Sequence, residues 1–541
     1  MTMTTTSGTS VHPHDGKEFH IAPMIDVSTV EFRYFMRLLT KRAVIWNQMV
    51  VAETLVHRNR IRNQQLTTSH KENSLCELSS SSSSDIEDGG NTEIKLTHEL
   101  MKHCGWYGAC VEDDVSPNPT IFQIGTNDPD HGTFATLLGQ KCGYNAIDLN
   151  CGCPSDKVVG KCFGAELMKD QDTAVKIVRS LIETTQSIDN PSFQVSVKTR
   201  IGVDDNTGFD FIADFIQRLV EAGCHNFVIH ARSVHSDGLN PAQNRTIPPL
   251  DYPCVYRLVK NFPQCSFVIN GGIMSLEHAK KVAFGYVAPD IGSGCGMEDM
   301  IASANMHAVP CQLCNLPNGS CLAPPQISPS NLCGVMVGRL ARDRPADLAD
   351  VDRYFYGEPS NPCYNRRELM NRYISFLERE YPRRCCDDNE TLTLDLMMYL
   401  PMHIAFQENF CTVCEEFRGQ KEYQCSNITD ASQYLSDDGS MISSKRTQSS
   451  KRSKRHAKYR GAKVVTRIMD RALKPTWGIL AGESGKGVFR RVLSELSRDV
   501  TARNCGPGYI LWKAMQSIPA DVWDKPFELS DARISTYYPT N

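Results

Sequence analysis

AIDLNCG at Ala146–Gly152, QVSVKTR at Gln194–Arg200, NFVIHAR at Asn226–Arg232 and CSFVING at Cys265–Gly271 are four short apolar runs, each ending on a polar or glycine-bearing tip. Runs so short and so nearly continuous in apolar side chains read as strands buried on both faces, as in a parallel sheet. Helix-period segments lie beside them, at Thr173–Gln186, Asp210–Ala222 and Ser275–Phe284. The same grammar extends outward. HIAPMID (His20–Asp26), AVIWNQMV (Ala43–Val50) and TIFQIG (Thr120–Gly125) precede the four runs, with a helical segment at Asp130–Cys142, and CGVMVGR (Cys333–Arg339) follows them. Strand and helix alternating eight times predicts a (β/α)8 TIM barrel, and no repeat is evident beyond that alternation.

The 541 residues exceed such a barrel, and the remainder differs in composition. Residues 1–18 are Thr/Ser-rich and read as a disordered tail, with neither a secretory core nor the arginines of a mitochondrial presequence. The barrel is expected over 19–360. It is broken by low-complexity insertions at about 58–118, with the Ser79–Ser84 run and acidic Asp85–Asp88, and at about 285–332. From about 361 to 541 the period becomes helical, as in RRELMNRYISFLERE (Arg366–Glu380), predicting a smaller all-helical domain with its own insertion at about 381–459. Net charge is −4 overall, yet Met441–Asn541 carries roughly 20 Lys/Arg against about 8 Asp/Glu, a local basic field. No apolar run approaches the ~18 residues that cross a bilayer, and 22 cysteines without a secretion signal read as reduced intracellular thiols.

The polar tips are the functional signal. Pro23-Met24, Gln48, Gln123, Asn150, Lys198, His230, Asn270-Gly271-Gly272 and Gly338-Arg339 all fall where a barrel builds its active site. Such a rim suits flavin mononucleotide. Gly271, Gly272 and Gly338 let backbone approach a phosphate, and Arg339 supplies charge. Gln123 and Lys198 are placed to reach the ring's donor and acceptor edge. Past the fourth strand stands DLNCGCPS (Asp148–Ser155), whose cysteine near a flavin is a candidate acid. A C-x-C pair is too tight to complete a zinc site, and spacing alone does not choose between Cys151 and Cys153.

Taken together these strings resemble the tRNA-dihydrouridine synthase family: APM at Ala22–Met24, QIG at Gln123–Gly125, LNCGCPSDKV at Leu149–Val158, FGAELM at Phe163–Met168, VKTRIG at Val197–Gly202, IHAR at Ile229–Arg232, INGGI at Ile269–Ile273 and VMVGR at Val335–Arg339. GLNPAQNRTIPPLDYP (Gly238–Pro253) is similar to the loop marking the bacterial A-type subgroup, whose substrates are D-loop uridines at positions 20 and 20a. The likeness covers roughly 19–57, 117–284, 333–380 and 460–515. It implies an FMN-dependent oxidoreductase, re-reduced by NADPH, that converts uridine in tRNA to 5,6-dihydrouridine by hydride transfer to C6 and protonation of C5. It also implies Cys153 as proton donor. Pro23, Met24, Gln123, Lys198, His230, Asn270, Gly271, Gly272, Gly338 and Arg339 match FMN positions. Asn150 and Arg245 match positions facing the RNA, and Lys486, Arg490 and Arg491 match part of a basic RNA-binding segment. The absence of a strand-linked G-x-G-x-x-G fits a hydride donor that visits the flavin rather than a Rossmann domain. Gln48 replaces a usual Glu, Ala242 a usual Lys and Gly487 a basic residue.

The expected partner is tRNA, bound mainly through phosphates, with no membrane and no obligate protein partner evident. No metal is expected: Cys311-x2-Cys314 with Cys321, and Cys411-x2-Cys414 with Cys425, lack two well-spaced pairs. The basic run Lys445–Arg460 reads as a solvated tract, a nuclear-localisation signal or an auxiliary RNA grip. Cytoplasm is the expected compartment, with nucleus and organelle as alternatives. Two rival functions remain at this stage: a flavin barrel acting on free pyrimidines, and a non-catalytic RNA-binding protein.

Overall fold

The computed structural model describes residues 17–60, 119–154, 162–188, 190, 192–236, 238–283, 331–381 and 468–527. The N-terminal tail to residue 16, most of the three insertions, the Lys445–Arg460 run and the six cysteines weighed for zinc lie outside the described residues. Contacts divide the chain into Met1–Cys363 with Phe527–Asn541, and Tyr364–Pro526.

In the first unit nine parallel strands form one sheet: β1 Glu18–Ile21, β2 Val44–Trp46, β3 Val50–Val51, β4 Thr120–Gly125, β5 Ala146–Cys151, β6 Gln194–Arg200, β7 Asn226–His230, β8 Ser266–Asn270 and β9 Leu332–Val337. Their order is β2-β1-β9-β8-β7-β6-β5-β4-β3, and β2 also pairs with β4, closing the sheet. β2 and β3 both lie on β4, through Ile45↔Thr120 and Val50↔Ile124, so they are halves of one stave and the barrel has eight. The run expected as one strand over Ala43–Val50 is thus broken at 47–49. There Asn47 replaces the ladder with its side chain, Oδ1 accepting from Gln123 N at 2.6 Å.

Four of the helices that follow the strands start on side-chain caps delivered by the rim loops. Thr29 caps α1 (Val30–Leu39), Asp128 α2 (Pro129–Lys141), Asp170 α3 (Gln171–Ser187) and Asp251 α5 (Tyr252–Asn261). α4 (Phe209–Glu221) buries Ile212, Phe215, Ile216 and Leu219, the one-sided stripe of an amphipathic helix against a sheet. α6 (Leu276–Ala283) follows β8, and the short α7 (Arg339–Asp343) follows β9.

Partners across a parallel ladder point to the same face, so register tells which side chains share the lumen. Asn150 pairs with Lys198, Lys198 with Val228, Val228 with Val268, and Asn270 with Met336. Ala22, Val44, Trp46, Val228, Val268 and Met336 pack into one buried cluster, with Met24 and Ile121 against it. The lumen is therefore a plugged core, and the polar residues of the same parity sit at the strand tips above it.

In the second unit, α8 (Arg366–Glu380) buries Leu369, Met370, Tyr373, Phe376 and Leu377. α9 (Lys486–Leu496), with Phe489 and Leu493 inward, and α11 (Gly506–Met515), with Ile510 and Leu511 inward, share that core; the short α10 (Val500–Asn504) and α12 (Ala520–Asp524) flank them. Buried polar groups tie it together. Tyr373 donates to Ala472 O at 2.7 Å, and Arg366 donates to Ile479 O and Glu483 at 3.1 and 3.0 Å.

Candidate active site at the strand tips

Gln123, Asn150, Lys198, His230 and Asn270 share lumen parity, and the structure gives each a distinct environment. Gln123 is buried, donating through Nε2 to Asp148 at 2.8 Å and accepting from Asn150 Nδ2 at 3.0 Å. Asn150 in turn accepts the Gly152 and Cys153 backbone N–H groups at 3.1 and 3.0 Å, shaping the turn that carries Cys153. Asn270 donates to Met336 O at 2.8 Å, so its amide ties β8 to β9, and Oδ1 and one N–H are left for a ligand.

The two cysteines of the C-x-C pair separate because β5 ends between them, Cys151 being its last residue and Cys153 lying in the turn beyond. Cys151, the neighbour of inward Asn150, lies on the other face of β5, fully buried, and burial pushes its thiol well above the ordinary range. Cys153 is half-buried beyond the strand end. A charge on Cys153 acts on Lys198, Arg200 and Arg245. His230 in turn is held neutral, well below its usual value, first by burial and then by Arg200, Lys198, Arg232 and Arg339. Thiol, lysine, imidazole and arginines therefore occupy one electrostatic neighbourhood. Burial lowers the Lys198 ammonium to about 8, Arg200 pushing the same way while Asp148 and Cys153 oppose.

The phosphate-type features meet there as well. Gly271 (φ +118) and Gly272 (φ +68) adopt backbone that side chains avoid; an added Cβ would stand 2.8 Å from the His230 ring and 2.3 Å from Leu250 respectively. Tyr252 fixes the pair by donating to Gly271 O. Gly338 precedes Arg339 at the start of α7, and a Cβ there would lie 3.6 Å from Ala22 and from Met24 Sδ, which brings the β1 and β9 tips together. Pro23 is half-buried in the same β1 turn, closed by Met24 N donating to Ser28 Oγ at 3.0 Å. Among the described residues, Lys198, Arg339 and Arg245 have no carboxylate within ion-pair distance.

Several residues that sequence reading did not single out organise this rim. Asp148, fully buried, is raised above the usual carboxylate range by burial, against the opposing pull of Gln123, Ser196 and Lys198. Arg200 donates to Gly152 O at 3.0 Å and to Ser233 O and Asn244 O at 3.0 and 2.9 Å, clasping the cysteine turn to the loop that bears Arg245. Arg232 donates to Thr246 O at 3.3 Å and to Pro248 O in that loop, and buried Asn244 braces it through His235 and Leu239. Asp148 lies two residues before Asn150, and Arg200 and Arg232 end the quoted VKTR and HAR strings; that placement was the available signal. A separate cavity of about 450 Å³ opens beside the starts of α4 and α5, lined by Thr207, Phe209, Asp210, Asp251 and Arg257, and includes none of the expected site residues.

The departures also have a structural reading. Gln48 closes the β1 turn, its Oε1 accepting from Asp26 N at 3.0 Å. Ala242 is exposed at the start of the Gln243–Arg245 turn. Gly487 lies in the first turn of α9, where an added Cβ meets nothing within 4 Å, so loss of a basic side chain there leaves open space. On the same helix of the second unit, Lys486 is the first residue, Arg490 donates to Trp477 O at 2.7 Å and Arg491 is exposed. Among the described residues no cluster of three metal-type ligands is present, and no helix is long and apolar enough to cross a membrane.

The dihydrouridine synthase family model matches residues 20–82 and 99–287. The chain is 34% identical over 368 residues to the tRNA-dihydrouridine(20/20a) synthase of Escherichia coli (strain K12), covering 68% of this chain and 77% of that protein. The protein of the same name from Pasteurella multocida (strain Pm70) is 30% identical over 362 residues, covering 67% and 80%. The one from Vibrio cholerae serotype O1 is 29% identical over 361 residues, covering 66% and 80%. With an eight-stave barrel, cysteine and cations gathered at its strand tips, and identity of this extent over most of its relatives' length, the chain belongs to the dihydrouridine synthase family.

Proposed function

We propose that this protein reduces D-loop uridine of tRNA, at position 20, 20a or both, to 5,6-dihydrouridine, with FMN at the strand tips, NADPH as reductant and Cys153 as proton donor. The observation that carries this reading is the strand register, which sets Asn150, Lys198, His230 and Asn270 on one face at the strand tips, with Gly271 closely approached by the His230 ring. The strand tips fit the flavin. Among the described residues Arg339 and Lys198 have no carboxylate within ion-pair distance, Gly271 and Gly272 offer close backbone approach, and a neutral His230 is free to accept or donate one hydrogen bond. Arg339, Gly271, Gly272 and Gly338 would hold the phosphate; Gln123, Lys198, His230 and Asn270 would hold the ring and ribityl chain, with Pro23 and Met24 packed beside them. When bound, FMN re-reduced by NADPH supplies a hydride to C6 of the uracil.

The chain's own residues do the rest. Cys153 Sγ delivers its proton to C5, completing the addition, and regains one from solvent. Asn150 and Arg245 face the uridine, which must leave the RNA stack to reach them. Lys486, Arg490 and Arg491 hold phosphates of the RNA body, a contact that free pyrimidines would not use. The cytoplasm is the proposed compartment. Purified protein given NADPH with either unmodified tRNA or free uracil tests the reading. Dihydrouridine in the tRNA D-loop and no turnover of uracil is the expected result; turnover of uracil alone would reject it.

Lys198 gives a pH dependence. Its folded value is below the ordinary lysine value, so the flavin-free protein loses this proton from about pH 8 upward. An anionic ligand favours the charged ammonium and raises that value, so binding takes up a proton in this window. FMN affinity is therefore expected to fall as pH rises above about 8, and fluorescence titration across that range checks it. Constant affinity from pH 7 to 10 would remove Lys198 from the binding account.

A further inference from the structure

We propose that Asp148 is a positioning residue that sets the orientation of Gln123 and of the Cys153 turn through a two-amide relay; this rests on the roles just given to Cys153 and the flavin. Asp148 Oδ2 accepts from Gln123 Nε2 at 2.8 Å and its Oδ1 accepts from Ser196 Oγ at 2.8 Å. Gln123 Oε1 then accepts from Asn150 Nδ2 at 3.0 Å. Asn150 Oδ1 accepts from the backbone N–H groups of Gly152 at 3.1 Å and Cys153 at 3.0 Å. A side-chain amide presents an acceptor at one end and donors at the other, and the two ends are nearly equal in shape. Nothing in its own geometry fixes which way it points.

With Asp148 ionised, the form that the Gln123 and Ser196 donors and nearby Lys198 favour, both ends of the chain of bonds are fixed. The inner end is a carboxylate, which when ionised only accepts; the outer end is a pair of backbone N–H groups, which only donate. Both amides must therefore run in the same direction. Reversing Gln123 would set its carbonyl against the carboxylate and its NH2 against that of Asn150, two repulsive contacts in a buried place. The topology builds this line directly: Gln123 pairs with Asp148, Asp148 pairs with Ser196, and Asn150 follows at the next position of the same parity. The carboxylate thereby decides which donor and acceptor Gln123 has left over for a ring at the strand tips, and holds the turn that presents the Cys153 thiol.

Asp148→Asn keeps the size but can donate as well as accept, so the inner end no longer dictates direction. Three readouts in the full-length chain test the consequence. FMN affinity, by fluorescence titration, is expected to weaken about tenfold, the order of one lost or misdirected hydrogen bond. The alkylation rate of Cys153 in the flavin-free protein, followed by peptide mass mapping, is expected to change at least ~3-fold, the effect of a turn that loses its brace. kcat for tRNA is expected to fall about 10-fold or more with KM nearly constant, because orientation of the acid is lost and RNA grip is not. A purely structural role would lower the unfolding temperature and leave alkylation and flavin affinity unchanged. Ser196→Ala, which keeps the carboxylate and its bond to Gln123, is expected to move the same readouts less and in the same direction, and serves if Asp148→Asn does not fold. Folded variants with wild-type FMN affinity and wild-type Cys153 alkylation overturn the relay. Cys153→Ala run in parallel separates the two ideas. Wild-type product from Cys153→Ala overturns the proton-donor reading and the relay with it; no product from Cys153→Ala alongside wild-type behaviour of Asp148→Asn overturns the relay alone.

Discussion

Cys153→Ala is expected to leave a protein that binds FMN and oxidises NADPH, yet forms dihydrouridine ~10²–10⁴-fold more slowly, the range in which a positioned general acid acts. The backbone bonds that hold the turn survive this substitution. The turn around Cys153 is held by backbone atoms: its N–H by Asn150, its carbonyl by Ala165 N at 3.1 Å, and the Gly152 carbonyl by Arg200. Alanine keeps all of these and takes away only the sulfur. Flavin contacts assigned to Gln123, Lys198, His230, Gly271, Gly272 and Arg339 are untouched. Single-turnover reaction of pre-reduced enzyme with unmodified tRNA isolates the step. Wild-type product yield in that experiment would mean the C5 proton comes from another group.

Arg200→Ala is expected to act on stability and catalysis together. The guanidinium is buried and satisfies three backbone carbonyls, at Gly152, Ser233 and Asn244. Removing it leaves these acceptors without their charged donor, a loss of about 3 kcal/mol in folding stability. It also uncouples the cysteine turn from the loop that carries Arg245. A shift of about 1 Å between acid and bound uridine costs ~100-fold in rate, so kcat/KM for tRNA is expected to fall by that order. Arg200→Lys restores the charge without the forked geometry and should recover only part of either effect. Denaturant unfolding and steady-state kinetics check both. Wild-type stability and kcat/KM in Arg200→Ala would deny the clasp.

The barrel was legible because its signal is local. β4 and β6 run from Thr120 to Gly125 and from Gln194 to Arg200, the bounds that their apolar runs suggest, and polar tips followed each strand in order. Most other runs overshoot by a residue or two, since residues such as Ala231 and Arg232 continue the apolar-to-polar reading after the ladder has ended at His230, whereas HIAPMID misses Glu18 and Phe19 and runs on to Asp26 after β1 has ended at Ile21. The break at Asn47 was hidden because an asparagine between Trp46 and Met49 looks like any strand residue; only its bond to Gln123 N, from another stave, shows what it does. α1 and α5 lay among the residues between runs, although Thr29 and Asp251 were in place to cap them.

The site was legible to the same depth. The polar ends of the apolar runs mark Gln123, Asn150, Lys198, His230 and Asn270 as rim residues. They do not reveal that Asn270 spends its amide on Met336 O, nor that Asp148 anchors Gln123. The partners of Arg200 are backbone carbonyls far along the chain, which carry no residue signature at all. Choosing Cys153 over Cys151 from spacing was not possible; the structure buries Cys151 as the last residue of β5 and leaves Cys153 half-buried beyond the strand end.

The central claim is that the strand tips form a cradle for an anionic flavin, and the FMN content of purified protein tests it most directly when wild type is compared with Arg339→Met. Among the described residues Arg339 has no ion pair or side-chain hydrogen bond, so its loss costs the fold little. Wild type is expected to carry close to one FMN per chain, and Arg339→Met to bind it ~10–100-fold more weakly for want of a charge-assisted phosphate contact. A wild-type protein without flavin, or a variant that holds FMN as tightly as wild type, would contradict the account.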